Sequence, residues 1–140
     1  MRATFAPHAV SAHFPAALIP VSVLFLFLAV ICSNPSLEFA AFALLVVVAV
    51  IIPLTMLTGF FLWRKNYQQV RSLIFNRKIC LAWTLFLVTL VTLAWRLSTP
   101  DLVAKGGVPL ILYLLLNLFL LVCVTLLGHY GGMLIAAQRK

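Results

Sequence analysis

The sequence predicts an all-α integral membrane protein, folded as a bundle of four membrane-spanning helices. Three observations support this fold class. Hydrophobic residues make up 65% of the 140 residues and charged residues only 9%, which is far from the balance of a soluble globular domain. Four apolar runs are long enough to cross a bilayer, which takes about 20 helical residues. The runs are rich in Leu and Phe and show no alternation, so helices are expected rather than strands.

The four predicted spans occupy most of the chain, so we expect a single four-helix domain over residues 1–140. They cover Pro15–Ser33, Leu37–Trp63, Lys78–Leu97 and Pro109–Ala137. Only one basic residue precedes the first span, and no small-x-small cleavage site follows its apolar core. We therefore interpret the first span as a membrane helix and not as a cleavable signal peptide.

Turn-forming residues separate the predicted helices. The SNPS segment, Ser33–Ser36, ends the first hairpin because Asn-Pro does not continue a helix. The segment Ser98–Pro109, with a proline and two glycines before its final proline, predicts a loop before the fourth helix. Between the second and third helices, residues 64–77 form a basic loop with apolar residues at helical spacing, which is typical of a short interfacial helix.

Positive charges cluster at one end of the predicted bundle. This basic end carries Arg2, Arg64, Lys65, Arg71, Arg77, Lys78, Arg139 and Lys140. The opposite end carries Glu38, Arg96, Asp101 and Lys105, whose charges cancel. By the positive-inside rule we expect both termini in the cytoplasm and a multi-pass location in the inner (cytoplasmic) membrane of the cell. Topology accounts for the net charge of +8, so no nucleic-acid partner is expected, and the basic end attracts anionic lipids.

The three histidines of the chain fall near its two ends. His8 and His13 come at the start of the first apolar run, and His129 lies in the last one. If both termini share one side of the membrane, His13 and His129 lie at overlapping depths, and the first and last helices of a small bundle are commonly neighbours. Two histidines on facing helices are the minimum arrangement that clamps an iron. We therefore predict one haem b, with His13 and His129 as its metal ligands.

Glycines flank the proposed ligand on the fourth helix. Gly128 and Gly132 lie four residues apart around His129, which predicts a flat strip on which a porphyrin could lie. Gly59, close to the end of the second span, is expected to widen the same cavity. The pattern has a second interpretation, because Gly128-x-x-x-Gly132 is also a small-xxx-small motif for helix packing without any cofactor.

The remaining candidate residues have supporting roles. Five residues separate His8 from His13, which turns them about 140° apart on a helix, so both cannot easily face one porphyrin. His8 is an alternative ligand, a propionate partner or a proton-handling group beside a quinone. Arg64 and Lys65 are positioned to neutralise haem propionates, although topology alone also explains them. A non-haem metal site is disfavoured because three histidines without carboxylates make a poor one.

Three segments carry a resemblance to a known family. HAVSAHFPAAL resembles the H-P-x-x-V-H-F-P-I-A-L signature that opens the four-helix membrane family called domain of unknown function 2231. GHYGGMLI is similar to the closing G-h-x-G-G-x-L-v pattern of that family, and LTGFFLW to the end of its second helix. The resemblance implies haem binding through His8, His13 and His129 and a link to respiratory chains. Ala9 departs from the family pattern, which has proline there.

Together these features predict a membrane-embedded electron-transfer subunit, which would pass electrons between quinone and a redox partner complex through one haem b. It would serve an oxidoreductase complex and not be a catalyst by itself. The alternative is a cofactor-free structural or anchor subunit whose glycine face packs against a helix of another membrane protein. A transporter is disfavoured, because Glu38 and Asp101 are expected in loops or at helix ends and not at membrane depth.

Overall fold

The computed structural model describes residues 7–66 and 73–137, with side chains for 8–64 and 73–133. Within these ranges it contains helices and no strand, which confirms the all-α fold class. The helices are α1 (Pro7–Cys32), α2 (Pro35–Asn66), α3 (Leu73–Ser98), α4 (Leu102–Lys105) and α5 (Gly107–Ala137). All except α4 are long and apolar enough to cross a membrane, so the expectation of four spans is confirmed.

The long helices extend beyond the predicted spans, mostly at the basic end. α1 begins at Pro7 and not at Pro15, and proline suits a first helical turn because its missing N–H has no partner there. α3 begins at Leu73, so part of the expected interfacial segment belongs to this helix. Residues 64–66 of that segment form the end of α2, and residues 67–72 lie outside the described residues. Polar and basic residues are good helix formers, so a helix need not stop where its apolar run does.

Short connections join the helices at the opposite end. Between α1 and α2 the chain turns at Ser33, which has φ 50°, and the Asn34 side chain caps α2 by accepting a hydrogen bond from the Ser36 N–H at 2.9 Å. The predicted loop before α5 contains the four-residue helix α4 instead of irregular structure. Asp101 and Gly106, both with φ 62°, flank this helix.

The four long helices form a closed ring of contacts. α1 packs along α2 and α3 along α5, while α2 also contacts α3 and α1 also contacts α5. The first and last long helices are therefore neighbours, as the bundle prediction required. The middle of the bundle is an apolar core made by Ile19, Val23, Leu45, Val48, Ile52, Leu85, Leu120, Cys123 and Val124. Large apolar side chains cover much of the outside, which suits contact with lipid.

A buried ion pair joins α2 and α3 at the end opposite the basic one. Arg96 donates from Nε and Nη2 to the two carboxylate oxygens of Glu38, the Nη2 bond measuring 2.8 Å. Glu38 lies in the first turn of α2, a helix end as expected, but only 4% of it is exposed. The Arg96 guanidinium also lies over the Phe42 ring at 5.7 Å. This pair keeps two charges inside the bundle by making each the partner of the other.

Uncharged polar residues line the interior below this ion pair. Thr89 and Thr92 are buried on α3, and each hydroxyl donates to a carbonyl one turn earlier at 2.7 Å. Asn117, buried on α5, donates from Nδ2 to the Tyr113 carbonyl at 2.9 Å. The Asn117 Oδ1 and the Tyr113 hydroxyl make no hydrogen bond with any described residue. Polar groups at membrane depth are thus bonded mainly to their own helices.

We expect Arg96→Met to destabilise the bundle by about 3 kcal/mol, because it leaves the Glu38 carboxylate buried without a counter-charge. Thermal unfolding of the detergent-solubilised protein measures the effect. Arg77→Met, which removes an exposed cation from the same helix, is the matched control and should leave the unfolding midpoint nearly unchanged. Equal midpoints for the two variants would show that the pair does not stabilise the fold. The double variant Glu38→Met with Arg96→Met should recover most of the loss.

Candidate functional site

His8 is the histidine that the structure holds between two helices. Its ring is half-buried, and its Nδ1 donates to the Thr55 carbonyl of α2 at 3.1 Å. A carbonyl oxygen only accepts hydrogen bonds, so this contact assigns the proton of the neutral ring to Nδ1. The Nε2 atom makes no hydrogen bond with the part of the chain that the structure describes. A histidine fixed in this way through Nδ1 is oriented, with Nε2 still able to accept a proton or bind a metal.

Gly59 provides the space for this imidazole. A Cβ atom placed on Gly59 would lie 2.9 Å from Cε1 and 3.1 Å from Nδ1 of His8, closer than real Cβ contacts normally come. The missing side chain of Gly59 therefore leaves space on the face of α2, and the His8 ring occupies that space. Whether Gly59 also widens a haem cavity stays a prediction.

Three hydroxyl side chains surround His8 and join α1 to α2. The Ser11 hydroxyl lies 3.1 Å from the Thr58 hydroxyl, and Thr55 Oγ1 donates to the Ser11 carbonyl at 3.1 Å. Thr58 Oγ1 also lies 3.4 Å from Nδ1 of His8. Sequence reasoning missed this network. Its signal was the helical spacing of His8 with Ser11 and of Thr55 with Thr58, which places each pair on one helix face.

His13 and His129, the two predicted iron ligands, are both exposed on the outside of the bundle. They belong to the neighbouring helices α1 and α5. No hydrogen bond or ring contact among the described side chains joins the two imidazoles. The His129 ring instead contacts the Tyr130 ring edge to face, with centroids 5.7 Å apart. The structure thus brings the two helices together but does not place the two imidazoles in the core, and their role as ligands stays a prediction.

The glycines around His129 lie on an open surface. A Cβ atom placed on Gly128 or on Gly132 would meet no atom of the described residues within 4 Å. Thr125, one turn before His129, is also exposed, and its hydroxyl is bonded to the Leu121 carbonyl at 2.8 Å. We call these four residues, Thr125, Gly128, His129 and Gly132, the α5 strip. The strip is a smooth outward face with one imidazole on it.

The basic residues of this end have different environments. Arg64 is exposed near the end of α2, and the side chain of Lys65 lies outside the described residues. Lys78, on α3, is half-buried, and its Nζ lies 3.7 Å from the place of a Cβ on Gly131 of α5. The ammonium is also within electrostatic range of His8. Among the basic residues of this end whose side chains are described, Lys78 is the one that faces the bundle, whereas the sequence indicated only a topology role for it.

An aromatic groove opens between α2 and α3 at the basic end. It measures about 460 Å³, and its lining consists of Phe60, Trp63, Phe75, Asn76, Ile79 and Cys80. The Trp63 and Phe75 rings stack with centroids 5.0 Å apart and planes 14° apart. Flat apolar walls of this kind suit a planar aromatic or quinoid ring.

The donor set decides which metals fit. No group of three or more His, Cys, Asp and Glu side chains converges among the residues with described side chains. A metal held only by protein ligands usually needs three or four such donors. Haem iron needs only one or two, because the porphyrin supplies the others, and imidazole is a common axial ligand. The exposed imidazoles of His13 and His129 therefore fit haem better than a bare metal ion.

We expect Gly59→Val to destabilise the bundle by about 1–3 kcal/mol, because the new side chain displaces the His8 ring and breaks its bond to Thr55. The thermal unfolding midpoint measures the change. Gly128→Ala is the control, since a Cβ there meets open space. Adding His8→Ala to Gly59→Val should restore part of the loss. A midpoint for Gly59→Val equal to that of Gly128→Ala would contradict the close contact between His8 and Gly59.

Comparison with known proteins identifies one family. A family model described as a predicted membrane protein (DUF2231) matches residues 5–139, a range that includes all four long helices in full. No curated protein and no solved structure matches the chain. The match confirms the resemblance to this family and covers nearly the whole chain. The chain therefore belongs to the family of predicted membrane proteins known as DUF2231.

Proposed function

We propose that this protein is an electron-transfer subunit of a membrane complex and binds one haem b near its basic end. His13 and His129 would hold its iron, and a quinone would be one of its redox partners. The observation that carries the proposal is the α5 strip, where an exposed imidazole lies between two glycines with open space beside them. A planar group needs such a surface next to its axial ligand.

The depths of the two imidazoles support this pairing. The Lys78 ammonium lies 3.7 Å from the place of a Cβ on Gly131 and acts electrostatically on His8, which supports similar levels for Gly131 and His8 in the bundle. At 1.5 Å per residue, His13 lies about 7.5 Å further into the membrane than His8, and His129 about 3 Å further in than Gly131. The two candidate ligands are therefore within about one helical turn of each other in depth.

The exposure of the ligands indicates where the site would lie. The middle of the bundle is filled by apolar side chains, and both imidazoles are on the outside. His13 and His129 would therefore hold the group against the outer side of α1 and α5, with lipid or another subunit covering its far edge. Bound haem would supply one-electron redox chemistry there. The protein residues would fix the axial ligands, and the cations Arg64 and Lys65 would neutralise the propionates at the basic end.

The aromatic groove is the proposed quinone site. It lies at the same end of the bundle, between α2 and α3, where Trp63 and Phe75 already stack on each other. The Asn76 side chain on its rim could donate a hydrogen bond to a quinone carbonyl. Under this proposal His13 and His129 would hold the haem, the groove would hold the quinone, and the two groups would supply the redox chemistry.

A reduced-minus-oxidised visible spectrum of the purified protein tests the haem proposal. We expect a b-type α-band that is lost in His13→Ala and in His129→Ala and kept in Thr125→Ala. The last variant changes the same strip without removing a ligand, so it is the matched control. Absence of the band from a preparation that unfolds cooperatively would refute the proposal.

The alternative function is a cofactor-free anchor subunit, and one specific observation favours it. Gly128 and Gly132 form a small-xxx-small pair on an outward helix face, the arrangement by which membrane helices approach each other closely. The variant Gly132→Leu distinguishes the anchor function from the haem function. It covers the α5 strip, and a Cβ at this position meets no described atom within 4 Å. Under the anchor function, this variant should lose other subunits on purification from native membranes, while neither form shows a haem spectrum.

A further inference from the structure

We propose that Lys78 is the centre of a phosphate-binding site between α1, α3 and α5, and that its occupant is the phosphate of an anionic membrane lipid. The site is separate from the α5 strip and does not depend on haem. It rests on the burial of one cation, the residues around it, and the distribution of acidic residues along the chain.

The Lys78 side chain points toward neighbouring helices of the bundle and is only partly exposed at the surface. Its side chain is half-buried, with Nζ 3.7 Å from the place of a Cβ on Gly131 of α5. On the α1 side the ammonium is within electrostatic range of His8. Arg77, the preceding residue, is exposed. Two adjacent cations therefore differ in environment, and only Lys78 is drawn into the bundle.

This chain offers Lys78 no acidic side chain. The whole sequence contains two, Glu38 and Asp101. Both lie at the opposite end of the bundle, Glu38 in the first turn of α2 and Asp101 just before α4, and Glu38 is already paired with Arg96. None of the hydrogen bonds and ion pairs among the described side chains involves Lys78. A partly desolvated ammonium is costly without a counter-charge, so an anion from outside the chain should supply it.

The position of Lys78 favours a lipid phosphate as that anion. Lys78 is five residues into α3, about 7.5 Å from the helix start, which is headgroup depth if α3 begins at the membrane surface. Basic pockets between transmembrane helices bind phosphorylated headgroups at this depth. Gly131 leaves space beside the ammonium, since no side chain there covers it. Arg77 and Arg64, exposed at the same end, add positive potential around the site.

Lipid binding to the full chain in detergent tests the proposal. Native mass spectrometry would count bound phosphatidylglycerol, with phosphatidylcholine as the zwitterionic comparison. We expect the protein to prefer phosphatidylglycerol, and Lys78→Met to weaken that binding about fivefold or more. Arg77→Met is the matched control, with less than about a twofold effect expected for an exposed cation. Lys78→Arg should keep most of the affinity because it keeps the charge.

A charge-preserving variant makes the test specific to the site. Gly131→Leu should weaken phosphatidylglycerol binding by filling the space next to Nζ, while the net charge and the unfolding midpoint stay close to those of the unchanged protein. Equal losses in Lys78→Met and Arg77→Met would show only a general attraction to the basic end and would overturn the proposal. So would competition by millimolar inorganic phosphate, which would identify free phosphate as the occupant. The measurement uses preparations without haem absorbance, so its result does not depend on whether the protein binds haem.

Discussion

The structure depends on one constraint, namely that polar groups inside a bilayer must find their partners within the protein. The bundle places its charged residues and histidines near its two ends, while the buried Thr89, Thr92 and Asn117 between them bond to carbonyls of their own helices. At one end a single ion pair, Glu38 with Arg96, neutralises both charges inside the bundle. At the other end His8 and neighbouring hydroxyls bond across α1 and α2. Between them lies an apolar core to which all four long helices contribute.

The two ends differ in how completely the protein pairs its own charged groups and imidazoles. The Glu38 and Arg96 pair is closed, since both carboxylate oxygens accept from one guanidinium. The basic end is open, because neither Nε2 of His8 nor the ammonium of Lys78 has a hydrogen-bond or ion-pair partner among the described residues, and His129 is exposed on the α5 strip. Charged groups and imidazoles that a membrane protein leaves without a partner indicate what it binds, because they cost free energy until something pairs with them. The basic end is therefore where ligands are to be sought.

Hydropathy and charge placement predicted the fold class, the four spans and the contact of α1 with α5, since all three follow from bilayer thickness and an even number of crossings. The candidate site was less predictable. Gly59 was expected to widen a haem cavity, and only the three-dimensional arrangement shows that the His8 ring fills the space beside it. The burial of Glu38 could not be predicted from the sequence either. A charged residue in a first helical turn is buried only if a partner far away in the sequence, here Arg96, covers it.

The histidines show the same limit. His8 and His13 are the same residue type and lie close together in the sequence. His8 packs against α2 whereas His13 faces outward, because a separation of five residues puts them on different faces of α1. The central claim is that the outward pair, His13 and His129, binds one haem iron. Electron paramagnetic resonance of the oxidised, purified protein tests it most directly. The account predicts a low-spin ferric signal typical of two imidazole ligands, and a folded protein with no ferric haem signal would contradict it.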